Sequence, residues 1–231
     1  MSEQVRTMFA SIAPRYDITN TILSLGIHHL WRNKAVRISG ASSGMKVLDC
    51  ATGTGDLAIA FKKAVGLNGT VVGTDFCAEM METAPDKAKK DNLHITFEVA
   101  DATNLQYEDN SFDIASISFG IRNVDDPRKC LQELARVVKP NGTVVVIEFG
   151  QPKRFFGKLY DFHSRYIIPF IGGLLTGNKH AYTYLPKTAA AFPAGQAFVT
   201  MMKETGKYHS EKAIPLTGSI AHIYIGNVQS A

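Results

Sequence analysis

The spacing of apolar residues changes once, near residue 40. Before it, Ile22, Leu25 and Leu30 recur at loosely helical intervals with Trp31, and Pro14 and Gly26 cut the run into pieces. This predicts a helical extension over about residues 1–40. From Met45 onward short β-branched runs alternate with helical patterns. Strands are expected at Met45–Asp49, Thr70–Asp75, Ile95–Val99, Phe112–Phe119 and Thr143–Phe149. Between them, Asp56–Val65 reads as a helix ending in Gly66, and Ala78 to about Lys90 as a helix interrupted by Pro85. Pro127–Val138 is a helix with proline at its start, followed by a Pro140-Asn141-Gly142 turn. Apolar strands separated by helices predict a mostly parallel sheet covered on both faces.

The last part of the chain departs from this alternation. Tyr208–Ile214 and Ile220–Ile225 are strand-like and separated only by a stretch with Pro215 and Gly218, too short for a helix. They are expected to form an antiparallel pair, giving seven strands in all. The segment between the fifth strand and this pair, about residues 151–205, is rich in aromatics. It is expected to be a helical insertion on the substrate side of a single domain spanning 1–231.

Composition narrows the setting. An apolar fraction of 45% in 231 residues fills one sizeable core. The N-terminus carries Glu3 and Arg6 instead of an apolar leader, and the greasiest run, Tyr166–Leu175, is too short to cross a bilayer. Cys50, Cys77 and Cys130 lack metal-ligand spacing and read as buried thiols, so the expected location is cytoplasmic and no metal is expected. The net charge is +4, yet nine Lys and Arg face three Asp and Glu from Gly150 to the end, leaving −2 for the rest. That basic third can face an anionic membrane, a nucleic acid or an acidic partner, or simply be a solvated surface.

Chemistry enters at the first strand-to-helix turn, Asp49-Cys-Ala-Thr-Gly53-Thr54-Gly55. Glycines there let the backbone approach a ligand, and the following helix offers unpaired N–H groups. Asp75 ends the next strand, where a carboxylate can accept hydrogen bonds from ribose hydroxyls. The run Gly53-Thr-Gly55-Asp-Leu-Ala58 also satisfies the dinucleotide fingerprint, so this turn alone leaves a nicotinamide dehydrogenase open. Three features point away from it. Asp49 stands where it can reach the cationic methionine end of S-adenosylmethionine; Asp101-Ala102 follow the third strand, placed for an adenine amino group; and the sheet ends in an antiparallel pair instead of a second nucleotide-binding half. A parallel βαβ sheet with such an ending is the layout of class I, Rossmann-like, S-adenosylmethionine-dependent methyltransferases.

Ser118-Phe119-Gly120-Ile121-Arg122-Asn123 ends the fourth strand, on the same sheet edge as Asp49, Asp75 and Asp101. With it, nearly the whole chain resembles the menaquinone and ubiquinone biosynthesis C-methyltransferases, most of all those that methylate demethylmenaquinone. The resemblance runs through Met8-Phe9 to Tyr16-Asp17, His28-His29-Leu-Trp31-Arg32, the glycine loop, and Arg136-Val-Val-Lys-Pro140. It continues in Glu148-Phe149, Tyr182-Thr-Tyr184-Leu-Pro186 and Phe192-Pro193. The Phe-Gly-Ile-Arg-Asn and Tyr-x-Tyr-Leu-Pro stretches are the specific ones. Departures are Thr52 where relatives often have Gly, Asn141 in a usual Pro-Gly-Gly turn, Lys187-Thr188 for an acidic-Ser pair, and Tyr224 at a position usually held by His.

The resemblance implies S-adenosylmethionine as cofactor, with contacts at Thr54, Asp75, Asp101-Ala102 and Ser118, beside Asp49, Gly53 and Gly55 read from the loop itself. It implies a prenylated quinol as substrate: demethylmenaquinol, the equivalent ubiquinone precursor, or both. Arg122, a permanent cation and multiple donor, can stabilise a phenolate-like oxygen, and Asn123 can orient it. The ring proton can leave through water to a carboxylate or to a histidine such as His28 or His29. Phe155, Phe156, Leu159, Tyr160, Phe162, Tyr166, Ile167, Ile168, Phe170 and Ile171 can make a greasy path for the tail. Lys153, Arg154, Lys158 and Arg165 can touch lipid headgroups in a peripheral membrane contact. A methyltransferase of another small molecule or of RNA, and a non-catalytic binder of the cofactor, are the alternatives; no RNA-binding module is visible, so no nucleic-acid partner is expected.

Overall fold

The computed structural model describes residues 3–152, 157, 160, 162–176 and 179–230. Before the sheet come three helices, α1 (Glu3–Ile12), α2 (Tyr16–Ser24) and α3 (Ile27–Ile38). The breaks between them fall at Pro14 and at Gly26, whose φ of +73° is the left-handed conformation glycine adopts at least cost. The alternation then follows: β1 (Lys46–Cys50), α4 (Asp56–Val65), β2 (Thr70–Asp75), α5 (Ala78–Met81), α6 (Ala84–Lys90), β3 (Thr96–Val99), β4 (Phe112–Ser118), α7 (Pro127–Val137) and β5 (Val138–Phe149). A π-helical turn (His163–Ile167) runs into α8 (Ile168–Thr176), then come α9 (Lys179–Ala191) and α10 (Gln196–Glu204). The hairpin β6 (Tyr208–Leu216) and β7 (Ala221–Val228) completes the described chain.

The seven strands form one sheet in the order β3-β2-β1-β4-β5-β7-β6, parallel except for β7, which is antiparallel to both β5 and β6. Reversal of strand order between β1 and β4 opens a crevice at their carboxyl ends. Two expectations shift. The helix expected over Ala78–Lys90 is two helices, because Pro85 lacks the N–H a helix interior needs and sits in the first turn of α6, where none is required. The Pro140-Asn141-Gly142 turn lies inside the span of β5. Phe112 pairs Val138 while Ile114 pairs Thr143, so the turn residues bulge out between those register positions. Asn141 takes φ +62°, a left-handed conformation that asparagine tolerates better than most, which explains how it stands in for glycine there.

One apolar core lies under α7 and α10, with Leu48, Ile117, Leu131, Val146 and Phe198 fully buried. A second lies under α3 and α4, with Phe61, Val71, Ile114 and Ile223. A third cluster joins parts of the chain far apart in sequence: Met8, Ile12 and Leu23 from the extension pack with Ile168, Ala181 and Tyr182 from the insertion. The two helical pieces thus build one cap with a small core of its own. Among the described residues no helix is long and apolar enough to cross a membrane.

Candidate active site

The glycine loop leaves β1 and enters α4. Ala51 (φ +49°), Gly53 (φ +54°) and Gly55 (φ +83°) take left-handed conformations in alternation, which folds the loop back over the strand ends. Under it, Asp49 is fully buried and accepts from the hydroxyls of Thr52 and Ser116, 2.7 Å each. Burial pushes the Asp49 carboxyl up to about 6 despite those two donors. Thr52, the residue that departs from the family pattern, is therefore part of the support for Asp49. It fits because a side-chain atom on Gly73, across the strand pair, would stand 3.0 Å from its hydroxyl.

Asp75 receives the loop from the other side. One oxygen accepts from Gly53 N (2.9 Å) and the other from Cys77 N (2.9 Å). Each keeps a lone pair, so two further donors can be accepted. Asp101 accepts through Oδ1 from the amide and hydroxyl of Thr103, both 2.8 Å. The Ser118 hydroxyl is buried without a hydrogen-bond partner.

Two cavities open on this edge. The first is walled by Gly53, Asp75, Asp101, Ala102, Ser118 and Asn123, with Phe76, Met80 and Gly120 among the rest. The second, of about 310 Å³, lies under the cap and is mainly apolar, a size suited to a small-molecule ligand. Trp31, Phe119, Phe149 and Ile168 give it aromatic and aliphatic walls, while Arg122, Asn20, His28 and Tyr184 bring polar atoms. Phe9, Tyr16 and Phe119 border both cavities. Phe119 does so with φ +56°, a strained conformation for a bulky residue. Its ring leans on Phe149 (4.7 Å between centroids), with Trp31 behind it at 6.2 Å.

Arg122 lines the second cavity and is almost wholly buried. Its Nη1 donates to Phe119 O (2.5 Å) and pairs with Glu148 Oε1 (2.9 Å). Asn123 sits on the first cavity's wall instead of the second's, with its Oδ1 accepting from the Tyr184 hydroxyl at 3.1 Å. Both are expected beside one ring, and the structure instead sets them on the walls of two different cavities. Asp49, Thr54 and Gly55 line neither cavity. Asp49 is sealed beneath the loop. The Thr54 hydroxyl donates to Asp17 Oδ1 (2.5 Å) and accepts from Lys87, and Gly55 precedes α4 with Ala84 and Phe97 against it. Of the residues expected to make the greasy path, Tyr160 and Ile168 line the cavity, whereas Phe162, Tyr166 and Phe170 are exposed. Lys153, Arg154, Phe155, Phe156, Lys158 and Leu159 lie outside the described residues. Lys187 and Thr188 line neither cavity, so that departure from the family pattern does not alter the walls.

The chain's own extension supplies what sequence reasoning missed: Phe9, Tyr16, Asn20 and Trp31. Its polar anchor is a charge network. Lys87 pairs with Asp17 (2.7 Å) and with Asp56, and Asp56 also takes Arg32 (3.0 Å). His28, His29 and Asp56 bring potential metal-binding atoms within 4.8 Å of one another, but Asp56 already faces two cations, which disfavours a third.

The residues present fit S-adenosylmethionine. Asp75 keeps acceptor capacity for ribose hydroxyls, Ser118 has an unused hydroxyl, and a Cβ on Gly53 would enter the cavity 3.5 Å from Met80. The model of the ubiE/COQ5 methyltransferase family matches residues 1–227. The ubiquinone/menaquinone biosynthesis C-methyltransferase UbiE of Bdellovibrio bacteriovorus is 60% identical over 228 residues, covering 98% of this chain and 97% of that one. The demethylmenaquinone methyltransferase of Deinococcus radiodurans is 42% identical over 226 residues, 97% of this chain and 92% of that one. Among solved structures, an S-adenosylmethionine-dependent methyltransferase from Thermotoga maritima superposes with a TM-score of 0.68 over 96% of this chain and 98% of that one, at 19% identity. Another from Aquifex aeolicus gives 0.64 over 85% and 89%, at 21%. These two likenesses concern the fold. The chain belongs to the ubiE/COQ5 methyltransferase family and is an S-adenosylmethionine-dependent C-methyltransferase of the α/β, Rossmann-like class I fold.

Proposed function

We propose that this enzyme methylates a ring carbon of a prenylated quinol, taking demethylmenaquinol to menaquinol, the equivalent ubiquinone precursor to its methylated form, or both. The reading draws on the substrates named for its relatives. The observation that carries it is the adjacency of the two cavities across Phe9, Tyr16 and Phe119: one loop-lined and edged by Asp75, Asp101 and Ser118, the other apolar with Arg122 and Arg32 among its few polar side chains.

In the first cavity Gly53, Asp75, Asp101, Ala102 and Ser118 hold S-adenosylmethionine, which supplies a methyl group already activated on its sulfonium. Asp49 lends negative charge from beneath the loop. In the second, Phe119, Phe149 and Trp31, packed on one another as one aromatic wall, flank the ring and exclude water, while Arg122 stabilises the oxygen whose deprotonation makes the neighbouring carbon nucleophilic. Asn123, fixed by Tyr184, orients groups at the border between the cavities. The prenyl tail leaves past Leu23, Leu25 and Ile27.

A long isoprenoid keeps its ring at a bilayer, and the cap supports a peripheral contact there. Eight of the ten large apolar residues exposed on the described surface belong to the N-terminal extension or the insertion. Ile18 and Ile22 on α2 are followed by Leu25 just past its end, and Phe162, Tyr166, Phe170 and Leu174 recur every four residues, with exposed Arg165 among them. Leu25, 92% exposed, also lines the cavity, so the apolar surface adjoins its mouth.

The deciding experiment supplies demethylmenaquinol in anionic liposomes, reduced and oxidised. Methylation is expected of the reduced form only, because the oxidised ring lacks the electron-rich carbon. Inactivity on quinols with turnover of a water-soluble phenol or of RNA overturns the proposal.

A further inference from the structure

When a ring carbon accepts a methyl group, it holds that methyl and its original hydrogen together. Aromaticity returns when the C–H bond breaks, its electron pair entering the ring and its proton leaving to a base. Because restored aromaticity drives this step, a weak base suffices, provided it is unprotonated and faces the ring.

The cavity that would hold the ring offers few such groups. Its tyrosines and arginines are protonated at neutral pH. Burial holds Tyr16 above the ordinary phenol range and pushes Tyr182 up to about 12. Glu148 is committed to Arg122, and Asp75 and Asp101 belong to the other cavity. Among the described lining residues this leaves His28 and His163.

His28 is the one whose ring is fixed. The Ser24 hydroxyl donates its only proton to Asn20 O at 2.7 Å. Its 2.6 Å contact with His28 Nδ1 must therefore be donated by Nδ1–H, which leaves the lone pair on Nε2. Ser24, Asn20 and His28 all line the substrate cavity. Burial, then the Arg32 and His29 charges, hold His28 down at about 4 against the opposite pull of Asp56 and Asp17, so the ring is neutral under physiological conditions. His29 is exposed, with its ring centroid 3.9 Å from that of His28, and marks a short way out for the proton. No hydrogen bond of comparable kind sets the His163 tautomer among the described contacts.

We propose that His28 is the base that takes the ring-carbon proton, through Nε2, and that Ser24 is the positioning residue that holds it in the Nδ1–H tautomer. The proposal rests on the quinol reading above. The balance is simple: a π pair of the ring forms the new C–C bond, the C–S pair stays with sulfur, the C–H pair restores the ring, and the proton passes to Nε2 and on to solvent.

The test measures turnover of prenylated demethylnaphthoquinol in liposomes, with hydrogen or deuterium on the carbon to be methylated, in wild type, His28→Gln, Ser24→Ala and His163→Gln. Losing the base should lower kcat by about 10²–10⁴-fold. It should also make C–H cleavage limiting, so the deuterium effect on kcat in His28→Gln should exceed that of wild type. KM and the thermal shift with S-adenosylhomocysteine should stay near wild type. The His163→Gln isotope effect should match wild type. Ring ¹⁵N resonances of the ligand-free protein should report the Nδ1–H tautomer for His28, and a mixture in Ser24→Ala. A His28→Gln protein that keeps kcat within about threefold, or loses it with an unchanged isotope effect, overturns the assignment. If that variant does not fold, unchanged kcat and isotope effect in Ser24→Ala overturn it instead. A wild type inert on the quinol sinks the substrate reading and the role of His28 with it; an active wild type with an indifferent His28→Gln sinks only the latter.

Discussion

Arg122 and Glu148 meet at 2.9 Å through one nitrogen and one oxygen, leaving Arg122 Nε and Glu148 Oε2 buried without partners. A fork-to-fork pair would have satisfied both. The arginine is anchored, but not saturated, at the end of the apolar cavity, which leaves donor capacity for the oxyanion proposed to develop there. Its positive charge is balanced by Glu148 from the sheet, and the face of Phe149 lies 5.2 Å from its guanidinium carbon.

Removing the arginine alone strands a buried carboxylate, a change that costs about 3–5 kcal/mol. Arg122→Met should therefore lower the denaturation midpoint sharply, and Arg122→Met with Glu148→Gln should recover most of that loss without recovering methyl transfer. Arg122→Lys keeps charge but loses the planar donor set, so kcat should fall while S-adenosylmethionine affinity stays near wild type. Urea denaturation and isothermal titration read the two effects separately. Equal loss of turnover and cofactor affinity in Arg122→Lys would place this residue in the cofactor site or in the fold.

The sheet was readable in advance because its signals are local. Val47-Leu48, Val71-Val72 and Val144-Val145-Val146 are apolar runs closed by Gly, Asp or Asn, and their alternation with helices fixes a parallel arrangement. Asp75, Asp101 and Ser118 were readable for the same reason: each lies at or just beyond a strand's carboxyl end. The cap was not, because its core joins Met8 and Ile12 to Ala181 and Tyr182 across some 170 positions, and no periodicity encodes that pairing. Nor could spacing separate Arg122 from its neighbour Asn123. The short helical turn Ile121–Asn123 points the two toward different cavities.

Lys87 ties the extension to the glycine loop through Asp17, Thr54 and Asp56. Lys87→Met should loosen α1 and α2 from the loop without touching the wall of the cavity proposed to hold the cofactor. Faster hydrogen exchange over residues 3–24 is expected, with a smaller thermal shift on adding S-adenosylhomocysteine, because the ligand must then order the cap. Asp75→Ala should shrink that shift further while leaving exchange over 3–24 unchanged. If Lys87→Met alters neither, the network is surface decoration.

Acid should weaken the fold partly through His28. Its pKa is about 4 in the fold and about 6.5 in an unfolded chain. Between those values the unfolded chain binds a proton that the fold refuses, so stability present above pH 6.5 is lost as pH falls toward 4. Asp49 works in the opposite sense. Raised to about 6, it holds its proton more tightly when folded, and its penalty above pH 6 is relieved on acidification. The comparison that isolates His28 is the fall in melting temperature from pH 7 to pH 5, which should be shallower in His28→Gln than in wild type. Parallel curves would mean that His28 is solvated.

The membrane contact proposed for the cap divides into two measurable parts. On that proposal the surplus of Lys and Arg after Gly150 attracts anionic lipid, an attraction screened over about 8–10 Å at ordinary ionic strength, so sedimentation with anionic liposomes should fall as salt rises. The stripes on α2 and along 162–174 add apolar burial that salt does not remove. Ile18→Asp with Phe170→Asp places one charge in each stripe at exposed positions and should leave the melting temperature within a degree or two, since neither side chain is part of a core. Residual binding at high salt should vanish, and turnover of long-tailed quinol in liposomes should drop at least tenfold. Turnover of a short-tailed, water-soluble quinol should stay near wild type, because the catalytic walls are untouched. Equal losses on both substrates would mean the stripes support the cavity itself, and unchanged liposome binding would mean the membrane meets another face.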